Sequence, residues 1–222
     1  MTMPAQKRRE WDEVLDNLGE NLIRVGTALR GLVEPSAVKS DDVQYYGIVQ
    51  GIASAFELAF KQAEPALLSN EGDFAVLLQA SGGSDLQLSV ADDHSPHTYA
   101  FTLLREGRLA CREVRALLQD LVHSAEMNAA VTRAYLQPLL QSVPQSTEAV
   151  GWELRAVCNE YDSEVELGRP ERSRQKEAVP ISIGLVRDMA AASNRLRTVR
   201  KEWFRLREGL VRTVERAKPE SG

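Results

Sequence analysis

The sequence has few of the features that would identify a protein class directly. It contains two cysteines in 222 residues, and aromatic residues make up 6% of the chain. Two cysteines cannot build the disulfide framework on which small secreted domains depend. No apolar run approaches the roughly 18 residues of a membrane-spanning helix, and the start MTMPAQKRREWDEV lacks the apolar segment of a secretory signal. We therefore expect a cytoplasmic protein with reduced thiols and no membrane contact.

Sequence motifs of catalysis are also missing. The stretch SGGSD is not followed by the Gly-Lys-Ser/Thr of a phosphate-binding loop, and neither Gly-x-Ser-x-Gly nor His-Glu-x-x-His occurs. Ser36 and Lys39 match Ser-x-x-Lys, but the accompanying Ser-Asp-Asn and Lys-Thr-Gly motifs are absent. We assign no catalytic residue and no cofactor. An enzyme remains a third alternative, because helical proteins can assemble sites from residues distant in sequence.

The composition is that of a globular protein with unevenly distributed charge. Hydrophobic residues make up 43% and charged residues 27%, and a chain of this length can bury a substantial core. The net charge is -5, yet residues 36–104 carry two lysines against nine carboxylates, whereas residues 179–222 carry ten basic against five acidic residues. We expect the two parts to attract each other, within one chain or between two, or the basic end to meet an anionic partner. Solvated helix faces that merely differ in charge are an equal alternative.

Helical periodicity dominates the first third of the chain. From about Ala5 to Val33 the apolar residues recur at alternating spacings of four and three, and Pro35 follows. A second helix is predicted from about Val43 to Ala63, with Ser40, Asp41 or Asp42 as its cap. Small residues recur along it every four positions, which favours close packing against the first helix in an antiparallel hairpin; they are Gly47, Gly51, Ala55, Ala59 and Ala63.

The pattern then changes to short segments with period-two alternation. The segments FAVLLQA, LQLSVA and TYAFTLLR are separated by the turn-rich clusters SGGSD and DDHSPH. They predict a three-stranded antiparallel β-meander over residues 74–105. Helix resumes near Glu106, with a kink expected between Ser124 and Asn128, and a further helix ends near Leu167. The sequence therefore predicts a helical body with a β-meander insert over residues 1–167, a linker over 168–178, and a basic C-terminal helix within 179–222.

The C-terminal helix has the most regular pattern in the chain. Apolar residues alternate at spacings of four and three from Leu185 to Ala217, which is typical of coiled-coil or bundle packing. A parallel two-stranded zipper is poorly specified, because Arg195 would face Arg200. We expect a bundle in which this helix meets the same chain or a second copy, and predict a homodimer, or a complex with another protein partner. The predicted contact residues are Leu196, Val199, Trp203, Leu206 and Leu210.

Two clusters of polar and charged residues suggest other ligands, a nucleic acid and a divalent metal ion. Arg197, Arg200, Arg205 and Arg212 could neutralise phosphates of a nucleic acid, although acidic residues are interleaved with them. The stretch DDHSPH contains residue types that bind divalent metal, but a surface turn has the same composition. We therefore assign no metal; the weak candidate ligands are Asp92, Asp93, His94 and His97.

The sequence as a whole predicts an α+β protein dominated by helices, with a helical bundle, the small meander and a long coiled-coil-like C-terminal helix. The function expected from it is non-catalytic: an adaptor, chaperone-like factor or assembly component that self-associates through helices. A nucleic-acid-associated factor that uses the basic helix is the alternative.

Overall fold

A computed structural model of the protein describes residues 5–80, 96–167 and 183–217. These residues are nearly all helical. The helices are α1 Ala5–Gly31, α2 Pro35–Val38, α3 Asp42–Ala80, α4 Pro96–Leu139, α5 Val143–Leu167 and α6 Ile183–Arg216. Among them, no helix is long and apolar enough to span a bilayer.

Two of the predicted helix signals operate as local chemistry requires. Pro35, predicted to end the first helix, follows its end at Gly31 and begins the short α2, where its missing N–H costs no intrahelical hydrogen bond. Asp41 caps α3, because its Oδ1 accepts a hydrogen bond of 2.8 Å from the N–H of Gln44. The first helix ends at Gly31, close to the predicted boundary. In contrast, α3 continues well beyond the predicted end near Ala63 and includes Pro65 in its interior.

A kink divides α4 within the predicted interval. Asn128 has φ -161° and ψ 88°, which is extended backbone between two helical segments. Its Oδ1 accepts a hydrogen bond of 3.0 Å from the N–H of Val131, so Asn128 caps the segment that follows. That segment bridges two other helices, because Arg133 donates to the carbonyl of Val38 before α3 and the Tyr135 hydroxyl donates to the carbonyl of Leu206 in α6.

The predicted β-meander over residues 74–105 is wrong. Residues 74–80 form the end of α3 and residues 98–105 belong to α4, so the first and third predicted strands are helical. The middle segment, LQLSVA, lies outside the described residues. No strand occurs in the parts of the chain that the structure describes. The alternation was misleading because the four consecutive residues from Phe101 to Leu104 are all buried, and a short run buried on every side cannot be assigned to helix or strand by its period.

The five long helices form a bundle in which each packs against two main neighbours. Following the contacts around the bundle gives the order α3, α4, α6, α5, α1 and back to α3. Ion pairs and hydrogen bonds along the seams make α1 antiparallel to α5, α3 antiparallel to α4 and α5 antiparallel to α6, whereas α4 before its kink runs parallel to α6. The buried apolar residues of all five helices belong to one continuous core.

Glycines allow α1 and α5 to approach closely. A Cβ added to Gly151 would lie 2.5 Å from the carbonyl oxygen of Gly19, and a Cβ added to Gly19 would lie 2.7 Å from the carbonyl oxygen of Gly151. Gly26 makes a similar approach to the carbonyl oxygen of Pro144. These contacts involve backbone atoms, which cannot move aside as a flexible side chain can. The crossing therefore depends on the absence of side chains at these positions.

Candidate interaction surfaces

The apolar stripe of α6 is buried within its own chain. Its five predicted contact residues are each between 0% and 5% exposed and belong to the continuous core; they are Leu196, Val199, Trp203, Leu206 and Leu210. They lie where α6 packs against α4 and α5. Since almost none of their surface remains free, these five residues could contact a second copy only if α6 left its place in the core. The sequence pattern located a real packing stripe, whose cover is the protein itself.

A buried hydrogen-bonded chain fixes Trp203 at the centre of this stripe. Its indole Nε1 donates to Oγ1 of Thr147 in α5 at 3.0 Å, and that hydroxyl donates to the carbonyl oxygen of Val143 at 2.7 Å. Thr147 and Trp203 are both fully buried. The polar tip of the indole is thereby satisfied while the ring fills the core, as a buried tryptophan requires.

Arginines beside the stripe pair with carboxylates of neighbouring helices. Glu106 of α4 is buried, and its two oxygens lie 3.0 Å from Nε of Arg197 and 3.2 Å from a terminal nitrogen of Arg200. Arg207 pairs with two further acidic residues of α4, Glu113 at 2.7 Å and Asp120 at 3.0 Å. The basic character of α6 therefore contributes to its attachment inside the chain.

The carboxylates that pair with α6 do not come from the acidic segment 36–104, which the charge distribution suggested. Those seen in the described residues are Glu106, Glu113 and Asp120 of α4 and Glu153 of α5. All four lie outside the acidic segment 36–104. Three carboxylates of that segment instead pair with arginines of α4, in the ion pairs Asp42–Arg133, Glu57–Arg115 and Glu64–Arg112.

The four arginines assigned to nucleic acid are not equally available. Arg197 and Arg200 are engaged by buried Glu106, and Arg212 pairs with Glu208 one turn earlier in α6. Arg205 is exposed. Since phosphate binding would compete with the pairing to Glu106, the arrangement does not favour a continuous phosphate-binding surface.

The pairing of Glu106 leads to a stability prediction. Replacing Glu106 with glutamine should lower the free energy of unfolding by about 1–2 kcal/mol. Loss of a buried charge partner costs about 3–5 kcal/mol when the remaining ion is also buried, but here both guanidinium groups retain water contact. Glu208→Gln provides a matched control, because its exposed pair with Arg212 should contribute less than about 0.5 kcal/mol. Equal denaturation midpoints for both variants would show that Glu106 does not anchor α6.

Burial in the core shifts the pKa values of two ionisable side chains, Cys111 and Tyr45. Burial raises the pKa of the free Cys111 thiol, so it stays protonated at neutral pH and is a poor nucleophile. Burial also raises the pKa of Tyr45 to about 12, with a smaller opposing effect from the Arg133 guanidinium above its ring. Both groups are therefore best understood as parts of the core.

The metal hypothesis falls mainly outside the described residues. Asp92, Asp93 and His94 lie there, whereas His97 is in the first turn of α4. Within the ranges that the structure describes, no group of three or more His, Cys, Asp or Glu side chains is placed to hold a metal ion.

One side of α3 is exposed and carries few charges. We define the α3 face as Val43, Gly47, Gly51, Ser54, Leu58, Gln62, Pro65 and Ser69, which recur every three or four residues and are all exposed. Val43 is 80% exposed and Leu58 is 64% exposed. Of the eight large hydrophobic residues exposed among the described residues, four belong to α3. Such a concentration of exposed apolar residues is typical of an interaction surface.

The glycines of the α3 face border open space in the part of the protein that the structure describes. A Cβ added to Gly47 or Gly51 would meet no atom within 4 Å. Of the small residues predicted to pack against α1, Gly47 and Gly51 therefore remain exposed, whereas Ala63 packs against the core. A groove of about 400 Å³ separates α1 from this side of α3 and is lined by Val25, Ile48, Gly51 and Ala55 among others. A second groove, of about 580 Å³, lies between α3 and α4.

Comparison with known proteins leaves this helical bundle without a family assignment. Searches against family models, curated proteins and solved structures gave no significant match.

Proposed function

We propose that the protein is a non-catalytic interaction protein that self-associates through an exposed helix face. The observation that supports this proposal is the α3 face, which leaves Val43 and Leu58 in water although the same helix places Tyr45, Val49 and Phe60 in the core. Covering such side chains in a complex gains roughly 25 cal/mol for each Å² of apolar surface removed from water. The function proposed here is the formation of an assembly, and we place it in the cytoplasm, which suits the free thiol of Cys111.

The arrangement of α6 supports this proposal indirectly. Since its stripe is buried by α4 and α5, α6 completes the core and leaves another surface to make the contact. The pairing of Arg197 and Arg200 with Glu106 favours a protein partner over a nucleic acid. Val43 and Leu58 of the α3 face are uncharged and exposed, which suits contact with protein.

Molecular mass in solution tests this proposal. Sedimentation or light scattering across a range of concentrations should show a transition from 24.6 kDa to twice that mass. Leu58→Gln should raise the dissociation constant at least about tenfold, because each of two copies would lose a buried apolar side chain. Trp152→Gln is the matched control, since Trp152 is also exposed but lies on α5, which does not neighbour α3 in the bundle. A constant mass of 24.6 kDa up to the highest soluble concentration would contradict self-association.

A further inference from the structure

We infer that the occupant of the α3 face is the α3 face of a second copy, packed antiparallel about a two-fold axis at Gly51. This inference rests on the proposed self-association and adds its location and geometry. In the resulting interface Gly51 faces Gly51, and Gly47 faces Ala55 of the second copy. A two-fold contact requires a surface that complements itself, which the following features of α3 provide.

Shape is the first of these features. Gly47 and Gly51 leave open space on the helix surface, whereas Leu58 projects from it. In the antiparallel arrangement Leu58 of one copy lies at the level of Gln44 of the other, and because helical side chains lean toward the N-terminus of their own helix, it is directed back toward the depression at Gly47. The two-fold axis repeats this contact for the leucine of the second copy. Two α3 helices could then approach closely, as small residues permit at other helix contacts.

Charge supports a second copy and also selects the antiparallel direction. The stretch from Val43 to Phe60 contains a single charged residue, Glu57. Beyond it, opposite charges mark the two ends: Asp41 caps the start of α3 and Asp42 is 63% exposed beside Arg133, whereas Lys61 is 67% exposed beside Glu57. Antiparallel packing brings Lys61 of each copy to the acidic end of the other. Parallel packing would instead place acidic ends together and lysines together, which is unfavourable.

The helix flanking the axis is also compatible with a two-fold contact. Arg24 of α1 lines the groove beside Gly51 and forms an ion pair with Glu20 one turn earlier. Across a two-fold axis, Arg24 of one copy can contact Glu20 of the other, so the two arginines need not face each other. With the axis at Gly51, the two α3 helices overlap over residues 42–60, about 27 Å at 1.5 Å per residue, which allows contact over several helical turns. A shallow crossing angle of about 20° would maintain that contact along the length.

Disulfide trapping tests this geometry. Single cysteines are introduced into full-length Cys158→Ser protein, in which buried Cys111 is retained. Gly51→Cys should form an intermolecular disulfide on oxidation, because the two introduced residues meet at the axis. Gly47→Cys alone should not, since its two copies would lie about 12 Å apart along the helices, beyond the roughly 7 Å limit between disulfide-linked Cα atoms. A mixture of Gly47→Cys and Ala55→Cys proteins should form the mixed disulfide.

A cysteine introduced away from the α3 face provides the background rate of intermolecular disulfide formation. Gly31→Cys suits this purpose because an added Cβ at Gly31 also meets no atom within 4 Å, so folding should be unaffected. We expect the Gly51→Cys yield to exceed this background at least about tenfold. Trapping of Gly47→Cys as efficient as that of Gly51→Cys would overturn the antiparallel register. If the unmodified protein dimerises but Gly51→Cys stays at the background rate, the α3 geometry is overturned while the proposed self-association stands; a protein that remains monomeric overturns both.

Discussion

Replacing Trp203 with alanine is expected to lower the free energy of unfolding by about 3–5 kcal/mol, as removal of a large buried aromatic side chain typically does. The indole is fully buried between α6 and the helices that cover it, so its removal leaves a cavity. The change also deprives the buried Thr147 hydroxyl of a hydrogen-bond donor. Chemical denaturation followed by circular dichroism measures this effect.

The neighbouring residue provides a control for Trp203. Phe204 is 42% exposed and stacks near the Arg207 guanidinium, so it lies at the edge of the packed surface. Phe204→Ala should cost about 1 kcal/mol or less. Similar losses for the two variants would mean that the aromatic residues of α6 lie in similar environments, contrary to the packing described above.

Gly151→Ala is expected to lower the free energy of unfolding by about 2–3 kcal/mol, although alanine is the better helix former. The added methyl group would press against the Gly19 carbonyl oxygen at 2.5 Å and against the backbone nitrogen of Ile23 at 3.0 Å. Relief requires α1 and α5 to separate along their whole contact. Thermal or chemical denaturation of the variant detects this loss.

A glycine in open space gives the opposite expectation. Gly72 lies within α3, and a Cβ added there meets no atom within 4 Å. Gly72→Ala should leave stability unchanged or raise it by up to about 1 kcal/mol, because only helix propensity changes. If Gly151→Ala were as stable as Gly72→Ala, the close crossing of α1 and α5 would be incorrect.

The sequence predicts the positions of the helices better than it predicts what each helix packs against. Alternating spacings of four and three located α1 and α6 to within a few residues, and the shift of the apolar face after Met127 indicated the kink at Asn128. These signals are local, since they depend on which side of one helix is apolar. The same spacing arises whether α6 packs against its own chain or a second copy. The assignment of Trp203 and its neighbours to a dimer contact therefore went beyond what periodicity can decide.

The other discrepancies also have non-local causes. Segment 98–105 resembled a strand because a short buried run such as Phe101 to Leu104 loses the 3.6-residue signal. Pairing of Arg197 and Arg200 with Glu106 joins residues on two helices far apart in sequence, which charge totals could not locate. For the α3 face a signal was present: a long stretch with Glu57 as its one charge and regularly spaced glycines. Whether those glycines met α1 or remained exposed depended on how the helices were arranged.

Fluorescence of Trp203 during dilution tests most directly whether α6 is covered by its own chain. A Trp11→Phe, Trp152→Phe variant leaves Trp203 as the single tryptophan, and its emission is recorded from concentrations at which the protein is associated to those at which its mass is 24.6 kDa. We predict the blue-shifted emission of a buried indole, with little quenching by iodide, at every concentration. A shift to the emission of a water-exposed indole as the folded protein dissociates would show that a second copy covers α6, and would contradict the account.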